Sequence, residues 1–169
     1  MMNVDKLYYE SPLGVIEIQG TEEAVLSIMF VDDPASIDMM SGMEGAPGAL
    51  QLCAIQLDEY FKGQRQVFTI PYRVQGTEFQ QKVWTALGTV GYAETCSYQD
   101  IADQIGNTKA NRAVGHANGK NRLSIIIPCH RVIGSNRKLT GYAGGLWRKE
   151  WLLQHEQSFA YADNTVSTK

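Results

Sequence analysis

The sequence predicts an α/β (α+β) protein: a small N-terminal antiparallel sheet with one helix, then a C-terminal helix-turn-helix (winged-helix-like) domain. Three observations support this class. Short β-prone runs occupy the start of the chain, helix-capping patterns follow residue 76, and acidic and basic residues are segregated along the sequence. We expect an N-terminal α/β domain at 1–75, a C-terminal domain at 76–157, and a flexible polar tail at 158–169.

The first half contains the predicted sheet. Its three strand candidates are rich in β-branched and aromatic residues and are separated by the turn-like SPLG and GTEEA: KLYYE, GVIEIQ and VLSIMFV. The stretch ALQLCAIQLDEYFKG has apolar residues at helical spacing and predicts a helix that stops near Gly63. Cys53 lies on that apolar stripe, which favours a core thiol over a reactive one. QVFTIPY predicts a further strand.

The second half contains the predicted helix-turn-helix. Thr77 and Gln80 form a capping-box pattern that opens the helix EFQQKVWTALGTV. Ser97 caps YQDIADQIG, and the basic helix KANRAVGHANG follows after a short Gly-containing turn. Many αα-corners share this spacing. Small residues such as Ala113 and Gly115, however, suit close approach to a nucleic-acid backbone, and we take both as candidate DNA contacts. GLWRKEWLLQHE predicts a final amphipathic helix.

Charge is strongly asymmetric along the chain. Residues 1–63 contain eleven Asp or Glu and two Lys or Arg, whereas residues 104–149 contain nine Lys or Arg and no Asp or Glu. A basic stretch without carboxylates argues for a polyanionic partner. The alternative, a solvated basic face, would ordinarily carry interspersed acidic residues.

Several classes of protein are disfavoured by the sequence. No apolar run is long enough to cross a bilayer, and the N-terminus does not resemble a secretory signal, so no membrane partner is expected. The three cysteines are an odd number without a C-x-x-C pair, which suggests neither a disulfide framework nor a zinc site. These features predict a cytoplasmic protein with no metal and no cofactor.

The segment SIIIPCHRVIG places Cys129 beside His130, a pairing that suggests an activated thiol. Adjacent side chains on a strand point to opposite faces, so either the chain turns at Pro128 or the histidine acts through a bridging water. A histidine base also needs an orienting group, and the acids downstream of Cys129 are Glu150, Glu156 and Asp163. Glu156 ends a helix that can pack back on this segment. Taken alone, the Cys-His pair is equally compatible with a structural role.

Four motifs resemble the O6-alkylguanine-DNA alkyltransferases, also called methylated-DNA–protein-cysteine methyltransferases: YQDIA, NRAVGHAN, IPCHRVIG and TGYAGGLWRKEWLLQHE. The resemblance is specific over residues 76–157 and weak before them. It implies DNA repair by direct, irreversible, single-use transfer of the alkyl group from O6-alkylguanine, with O4-alkylthymine as a second candidate substrate. It also implies a monomer that binds alkylated double-stranded DNA through the minor groove and flips the damaged nucleotide out.

The resemblance also implies roles for the residues around the cysteine. Cys129 would be the alkyl acceptor, His130 the water-linked base and Glu156 the carboxylate behind it. Asn121 matches the family asparagine that braces the helix-turn-helix against the active-site segment. Many relatives have proline next, where this chain has Arg122, and we expect Asn121 to keep its role.

Other positions match residues that handle DNA in the family. Arg112 matches the arginine that enters the duplex where the target base leaves. Tyr98 matches the tyrosine that crowds the adjacent phosphate and approaches a ring nitrogen of the base, although a helix-packing role is the simpler explanation without the resemblance. Tyr142 matches the loop tyrosine that closes over the alkylated base. The carbonyls of Cys129 and Val132 would accept hydrogen bonds from the guanine amino group.

Two alternative functions remain open on the sequence. A lesion-binding protein would recognise alkylated DNA without transfer, but relatives of that type lack the cysteine that is present here as Cys129. A cysteine hydrolase could use the same three side chains on an acyl substrate, but it leaves the acid-free basic stretch unexplained. The products distinguish the three: an S-alkylcysteine, no modification, or a turned-over acyl product.

Overall fold

The computed structural model describes residues 4–39 and 45–167. The chain packs into two compact units that divide between Val74 and Gln75. This division lies one residue from the boundary that the sequence predicts after residue 75. Each unit has its own sheet and helices, and each is described by itself below.

The first unit is a three-stranded antiparallel sheet with one helix, as predicted. The order is β1-β2-β3, and the elements are β1 (Asp5–Ser11), β2 (Gly14–Gly20), β3 (Val25–Phe30) and α1 (Gly48–Phe61). Ile16 and Ile18 on β2 are fully buried, and α1 covers β1 and β2 with a stripe that includes Leu50 and Leu57. Cys53 lies on the same stripe and is fully buried, in keeping with a core thiol.

The predicted strand QVFTIPY is wrong for most of its length. Only Tyr72 pairs with the sheet, through an isolated parallel bridge to Val25. The Val25 amide donates to the carbonyl of Pro71, and the Arg73 amide donates back to Val25. Proline has no N–H to give to a ladder, so the pairing does not extend along the run.

The second unit holds the helix-turn-helix. Its elements are α2 (Glu78–Leu87), β4 (Cys96–Ser97), α3 (Tyr98–Gln104), α4 (Asn111–Gly119), a 3-10 turn (Cys129–Arg131), β5 (Val132–Ile133) and α5 (Leu146–Ser167). The capping boxes predicted at Thr77 and Ser97 are both present. Helices α3 and α4 pack on each other and on α2, and Gly106 takes a positive φ of 77° in the turn between them. β4 pairs with β5 in parallel and brings the start of α3 beside the cysteine turn.

The last helix runs further than the sequence predicts. The sequence predicts that the folded domain ends at residue 157, but α5 continues to Ser167. The stretch has no glycine or proline to stop a helix, and Phe159 packs its ring edge against His155 one turn earlier. Residues 158–167 are therefore helical, and the flexibility of this segment stays a prediction.

The described ranges contain neither a helix that could span a membrane nor a candidate metal cluster. The 22-residue α5 is the longest helix in them, but no stretch of it is sufficiently apolar to cross a bilayer. No group of three or more His, Cys, Asp or Glu side chains converges within residues 4–39 and 45–167.

Candidate active site

The residues before Cys129 form tight turns rather than a strand. Ile125 has a φ of 73°, a conformation that β-branched residues avoid. The Asn121 side chain holds these turns together, because its Oδ1 accepts from the Leu123 amide at 3.0 Å and its Nδ2 donates to the Ile127 carbonyl at 2.9 Å. A strained backbone next to a reactive side chain persists only where such contacts hold it.

A 3-10 turn carries the cysteine itself. It begins directly after Pro128 and spans Cys129 to Arg131. The chain therefore turns at Pro128, the first of the two arrangements that the sequence allows. With about three residues per turn, successive side chains point in three different directions. Cys129 and His130 thus lie side by side along the chain but face different neighbours.

The thiol of Cys129 is buried, with only 4% of the residue exposed. Burial raises its pKa, while a hydrogen bond from Asn121 and the positive charge of Lys149 act in the opposite direction. The other two thiols have no such cation among the groups that shift them. Burial raises the pKa of Cys53 to about 12, and burial with the nearby Asp100 raises that of Cys96 to about 11. Among the three thiols, Cys129 is the one whose pKa is also lowered by a nearby cation and a side-chain hydrogen bond.

Glu156 on α5 joins the cysteine turn to the rest of the unit. His130 Nε2 lies 2.7 Å from Glu156 Oε2. Arg131 donates to both oxygens of the same carboxylate, from Nε at 2.9 Å and from Nη2 at 3.0 Å. The Ala93 amide adds a fourth hydrogen bond at 3.1 Å, and Arg131 also donates to the Val90 carbonyl at 2.7 Å. His130 and Glu156 are both fully buried, so the carboxylate is satisfied entirely by protein donors.

The protonation of this cluster follows from its burial and its charges. Burial lowers the pKa of His130, although Glu156 opposes the shift. Burial alone would raise the pKa of Glu156, but the hydrogen bonds and charges of His130 and Arg131 outweigh it and hold that pKa well below its ordinary value. Arg131 is therefore the permanent cation of the cluster, and His130 is neutral near pH 7.

The neutral imidazole has a defined tautomer. Its Nε2–H donates to the Glu156 carboxylate, which leaves Nδ1 as the basic nitrogen. Nδ1 is buried and makes no hydrogen bond to any side chain or backbone group in the described part of the chain. His130 can therefore accept a proton at Nδ1 while Glu156 stabilises the imidazolium that forms.

Lys149 ties the loop before α5 to the strand after the cysteine. The residue is fully buried, and its Nζ donates to the carbonyls of Val132 at 2.5 Å, Thr140 at 2.6 Å and Gly141 at 3.4 Å. Burial lowers the pKa of Lys149 to about 8, against the opposing influence of a negative Cys129. At neutral pH the ammonium is still charged, so Lys149 contributes a buried cation close to the thiol.

Two tyrosines reach the loop between β5 and α5. The Tyr98 hydroxyl, at the start of α3, donates to the Thr140 carbonyl at 3.1 Å, and a Cβ built on Gly115 would lie 3.7 Å from the Tyr98 ring. The Tyr142 hydroxyl is buried, and its pKa is raised well above the usual value, by burial first and then by the charge of Cys129. Tyr142 therefore lies close to the cysteine in the loop between β5 and α5, and the Tyr98 hydroxyl binds the same loop.

The predicted DNA-contacting face of α4 is separate from this cluster. Arg112 and Ala113 are exposed, and they line an open groove of about 600 Å³ together with Lys109 and His116. Ala117, another small residue of the same helix, is buried, and its carbonyl accepts from Trp84 Nε1 at 2.9 Å. The groove therefore lies between the outer face of α4 and the start of α2, which supplies the rest of its lining.

Three residues at this site have no role that the sequence predicted: Arg131, Lys149 and Asn118. Asn118 is buried on α4, and its Nδ2 donates to the Cys129 carbonyl at 3.3 Å. The sequence does indicate that Lys149 is buried. It lies on a stripe with the i, i+3, i+4, i+7 spacing of a buried helix face: Lys149, Leu152, Leu153 and Glu156. A lysine and a glutamate on such a stripe indicate buried polar partners.

Comparisons with known proteins match both units. Residues 6–74 match the family model described as "6-O-methylguanine DNA methyltransferase, ribonuclease-like domain", and residues 78–158 match the DNA binding domain of the same family. A methylated-DNA–protein-cysteine methyltransferase of Methanosarcina acetivorans is 45% identical over 150 residues, covering 89% of this chain and 96% of that protein. Its counterpart in Mycobacterium tuberculosis is 44% identical over 157 residues, covering 93% and 94%.

Solved structures give the same result. The O6-methylguanine methyltransferase of Mycobacterium tuberculosis superposes with a TM-score of 0.83 at 42% identity, covering 97% of this chain and 99% of that one. The Mycobacterium tuberculosis OGT in complex with DNA has a TM-score of 0.81 at 42% identity, covering 92% and 94%. These matches confirm the resemblance and the fold class predicted from the sequence. This chain belongs to the 6-O-methylguanine DNA methyltransferase family, the methylated-DNA–protein-cysteine methyltransferases.

Proposed function

We propose that this protein repairs DNA by moving the alkyl group of O6-alkylguanine to the sulfur of Cys129. The observation that carries the proposal is the buried thiol in the turn Cys129–Arg131, beside a neutral His130 whose Nε2–H is held by Glu156. In the reaction the carbon–sulfur bond forms as the carbon–O6 bond breaks. The product is a thioether, a far poorer leaving group than guanine. Each molecule therefore acts once.

The proton of the thiol leaves through His130. Nδ1 of the imidazole takes it through a bridging water, and Glu156 stabilises the resulting charge. Tyr98 supplies a proton to a ring nitrogen of the leaving purine. Tyr142 closes over the flipped base, and the carbonyls of Cys129 and Val132 accept from the guanine amino group. The Val132 carbonyl accepts from Lys149 and keeps a second lone pair for the base, whereas the Cys129 carbonyl already accepts from Asn118 and from the Val132 amide, so the base shares that oxygen with them.

The exposed face of α4 is the proposed DNA contact. The Mycobacterium tuberculosis relative has been solved in complex with DNA, and α4 here presents Arg112 and Ala113 to solvent. Small residues, including Gly115, permit close approach in the minor groove, where bending and base extrusion are common. We propose that a monomer binds there, with Arg112 filling the gap that the flipped nucleotide leaves. The free thiols Cys53, Cys96 and Cys129 suit a reducing cytoplasm.

The direct test is intact mass after incubation with duplex DNA that carries labelled O6-methylguanine. We expect a gain of one methyl group per molecule that stops at one and maps to Cys129. Binding without a mass gain would instead indicate the lesion-binding alternative, and turnover of an acyl substrate would indicate a hydrolase. The same assay with O4-methylthymine shows whether thymine lesions are substrates.

Glu156→Gln is expected to slow methyl transfer by about a hundredfold, at the lower end of what general-base catalysis contributes. The change removes the anion that orients His130 and stabilises its protonated form. The thiol should also need a higher pH to react, which the rate of iodoacetamide alkylation against pH measures. Glu150→Gln is the matched control, because Glu150 is exposed on the same helix. An unchanged pH–rate profile in Glu156→Gln would limit Glu156 to a structural role.

Arg112→Ala is expected to slow repair, and the loss of rate should be larger where the target base is harder to extrude. Unstacking a paired base costs a few kcal/mol, which Arg112 offsets by filling the gap. Single-turnover rates should therefore fall most in a fully paired duplex, less in a mismatched duplex, and hardly at all with free O6-alkylguanine. An equal deficit on all three substrates would remove Arg112 from the extrusion step. Affinity for undamaged duplex, measured at several salt concentrations, shows whether Arg112 also contacts a phosphate, because losing such a contact makes binding less dependent on salt.

A further inference from the structure

The carbonyl and the hydroxyl of Thr140 both bind the hydroxyl of Tyr98. Thr140 lies in the loop between β5 and α5, and Tyr98 is the first residue of α3. The Tyr98 hydroxyl donates to the Thr140 carbonyl at 3.1 Å and accepts from Thr140 Oγ1 at 2.9 Å. The Tyr98 ring lies beside Gly115 of α4. Two hydrogen bonds to Thr140 thus hold the phenol oxygen in place.

The carbonyl of Thr140 has a second donor. Lys149 Nζ donates to it at 2.6 Å, and the same ammonium lies 5.9 Å from the centre of the Tyr98 ring. A carbonyl oxygen has two lone pairs. If the Tyr98 hydroxyl turns its hydrogen elsewhere, the Thr140 carbonyl keeps its bond to Lys149. The phenol proton can therefore leave without stranding a backbone acceptor.

We propose that Thr140 is a positioning residue for proton delivery by Tyr98, an inference that rests on the proposed function. The hydroxyl of Thr140 holds the phenol oxygen while the phenol proton turns from the Thr140 carbonyl to a ring nitrogen of the leaving purine. As the sulfur–carbon bond forms and the carbon–O6 bond breaks, the released electron pair passes into the purine. The Tyr98 proton neutralises that purine, and the phenolate later takes a proton from solvent. The thiol proton leaves separately through His130.

The contribution of Thr140 is specific to the transition state. A hydrogen bond from Oγ1 to a neutral phenol is ordinary, whereas one to a developing phenolate is charge-assisted and about twice as strong. Only interactions that strengthen as the reaction proceeds accelerate the chemical step. Because the Lys149 ammonium faces the same ring, the developing negative charge has two stabilising neighbours.

Thr140→Val tests the inference, because valine keeps the branched shape and the backbone carbonyl but loses the Oγ1 donor. We expect single-turnover transfer from duplex O6-methylguanine to fall by about ten- to a hundredfold, the range for a hydrogen bond to a charged group. Thr140→Ser should restore most of the rate. Thr85→Val is the matched control, since Thr85 is exposed on α2 and its hydroxyl donates to the Gln81 carbonyl at 2.9 Å. It should transfer at the wild-type rate.

Two further measurements separate proton delivery from a general disturbance of the loop. In a Tyr98→Phe background, Thr140→Val should cause no additional loss, because the phenol it serves is gone. Alkylation of Cys129 by iodoacetamide, which requires no protonated purine, should proceed equally in wild type and Thr140→Val. A wild-type transfer rate in Thr140→Val, or an equal loss with and without Tyr98, overturns the inference alone. Failure of the wild-type protein to take up any methyl group overturns the proposed function and this inference together.

Discussion

Cys129→Ser is expected to lose methyl transfer by about 10⁵-fold or more, the scale on which enzymes lose activity without their nucleophile. A serine hydroxyl is hardly ionised near neutral pH, and the buried site gives it no stronger base than His130. Serine is close to cysteine in shape, so the turn at Cys129–Arg131 should persist. The measurement is the mass gain on duplex O6-methylguanine, followed by peptide mapping.

The same variant should still bind duplex DNA, since Arg112 and Ala113 lie on the outer face of α4 and not at the thiol. Cys96→Ser is the matched control, because Cys96 is half-buried and can exchange its thiol for a hydroxyl at little cost. It should transfer at close to the wild-type rate. Transfer of a methyl group to any residue of the Cys129→Ser variant would contradict the assignment of Cys129 as the acceptor.

Arg131→Met is expected to lower the free energy of unfolding by about 3–5 kcal/mol, the usual cost of breaking a buried ion pair by removing one partner. Arg131 donates twice to the fully buried Glu156 carboxylate, and methionine would leave that anion with His130 and the Ala93 amide. Urea denaturation measures the loss. Arg122→Met, at an exposed position, should change stability by less than about 0.5 kcal/mol.

The loss in Arg131→Met should depend on pH. The charge of Arg131 contributes to lowering the pKa of His130, so its removal should raise that pKa while Glu156 remains beside the ring. Burial holds the folded pKa of His130 below the unfolded value of about 6.5, so the wild type loses stability as the pH falls below that value, and a less depressed pKa in the variant makes this loss smaller. The deficit should therefore be smaller near pH 5.5 than near pH 8.5. A deficit below about 1 kcal/mol, or one that does not change with pH, would contradict the role of Arg131 as the buried counter-ion.

Local features of the sequence predicted most of the elements correctly. The capping boxes at Thr77 and Ser97 depend on residues three apart, and the alternation in β2 depends on residues two apart, so each is decided within one short stretch. The pairing of Cys129 with His130 is likewise visible in the chain. The prediction of a strand at QVFTIPY was wrong for a local reason as well. It followed from the apolar composition of the run, although Pro71 cannot donate a hydrogen bond to a neighbouring strand.

The arrangement around the thiol depended on residues far apart in sequence, and only the tertiary structure decided it. Glu156 was a candidate for its position on the last helix, but its pairing with Arg131 joins residues 25 apart, and nothing local distinguishes Arg131 from the other arginines of the basic stretch. Lys149 follows the spacing of a buried helix face, but only the fold shows that its partners are three backbone carbonyls. The sequence by itself therefore determined the helices, the sheet and the presence of a cysteine beside a histidine. The fold decided which charges are buried together, because burial and hydrogen-bond geometry are properties of packed elements and not of any single stretch of chain.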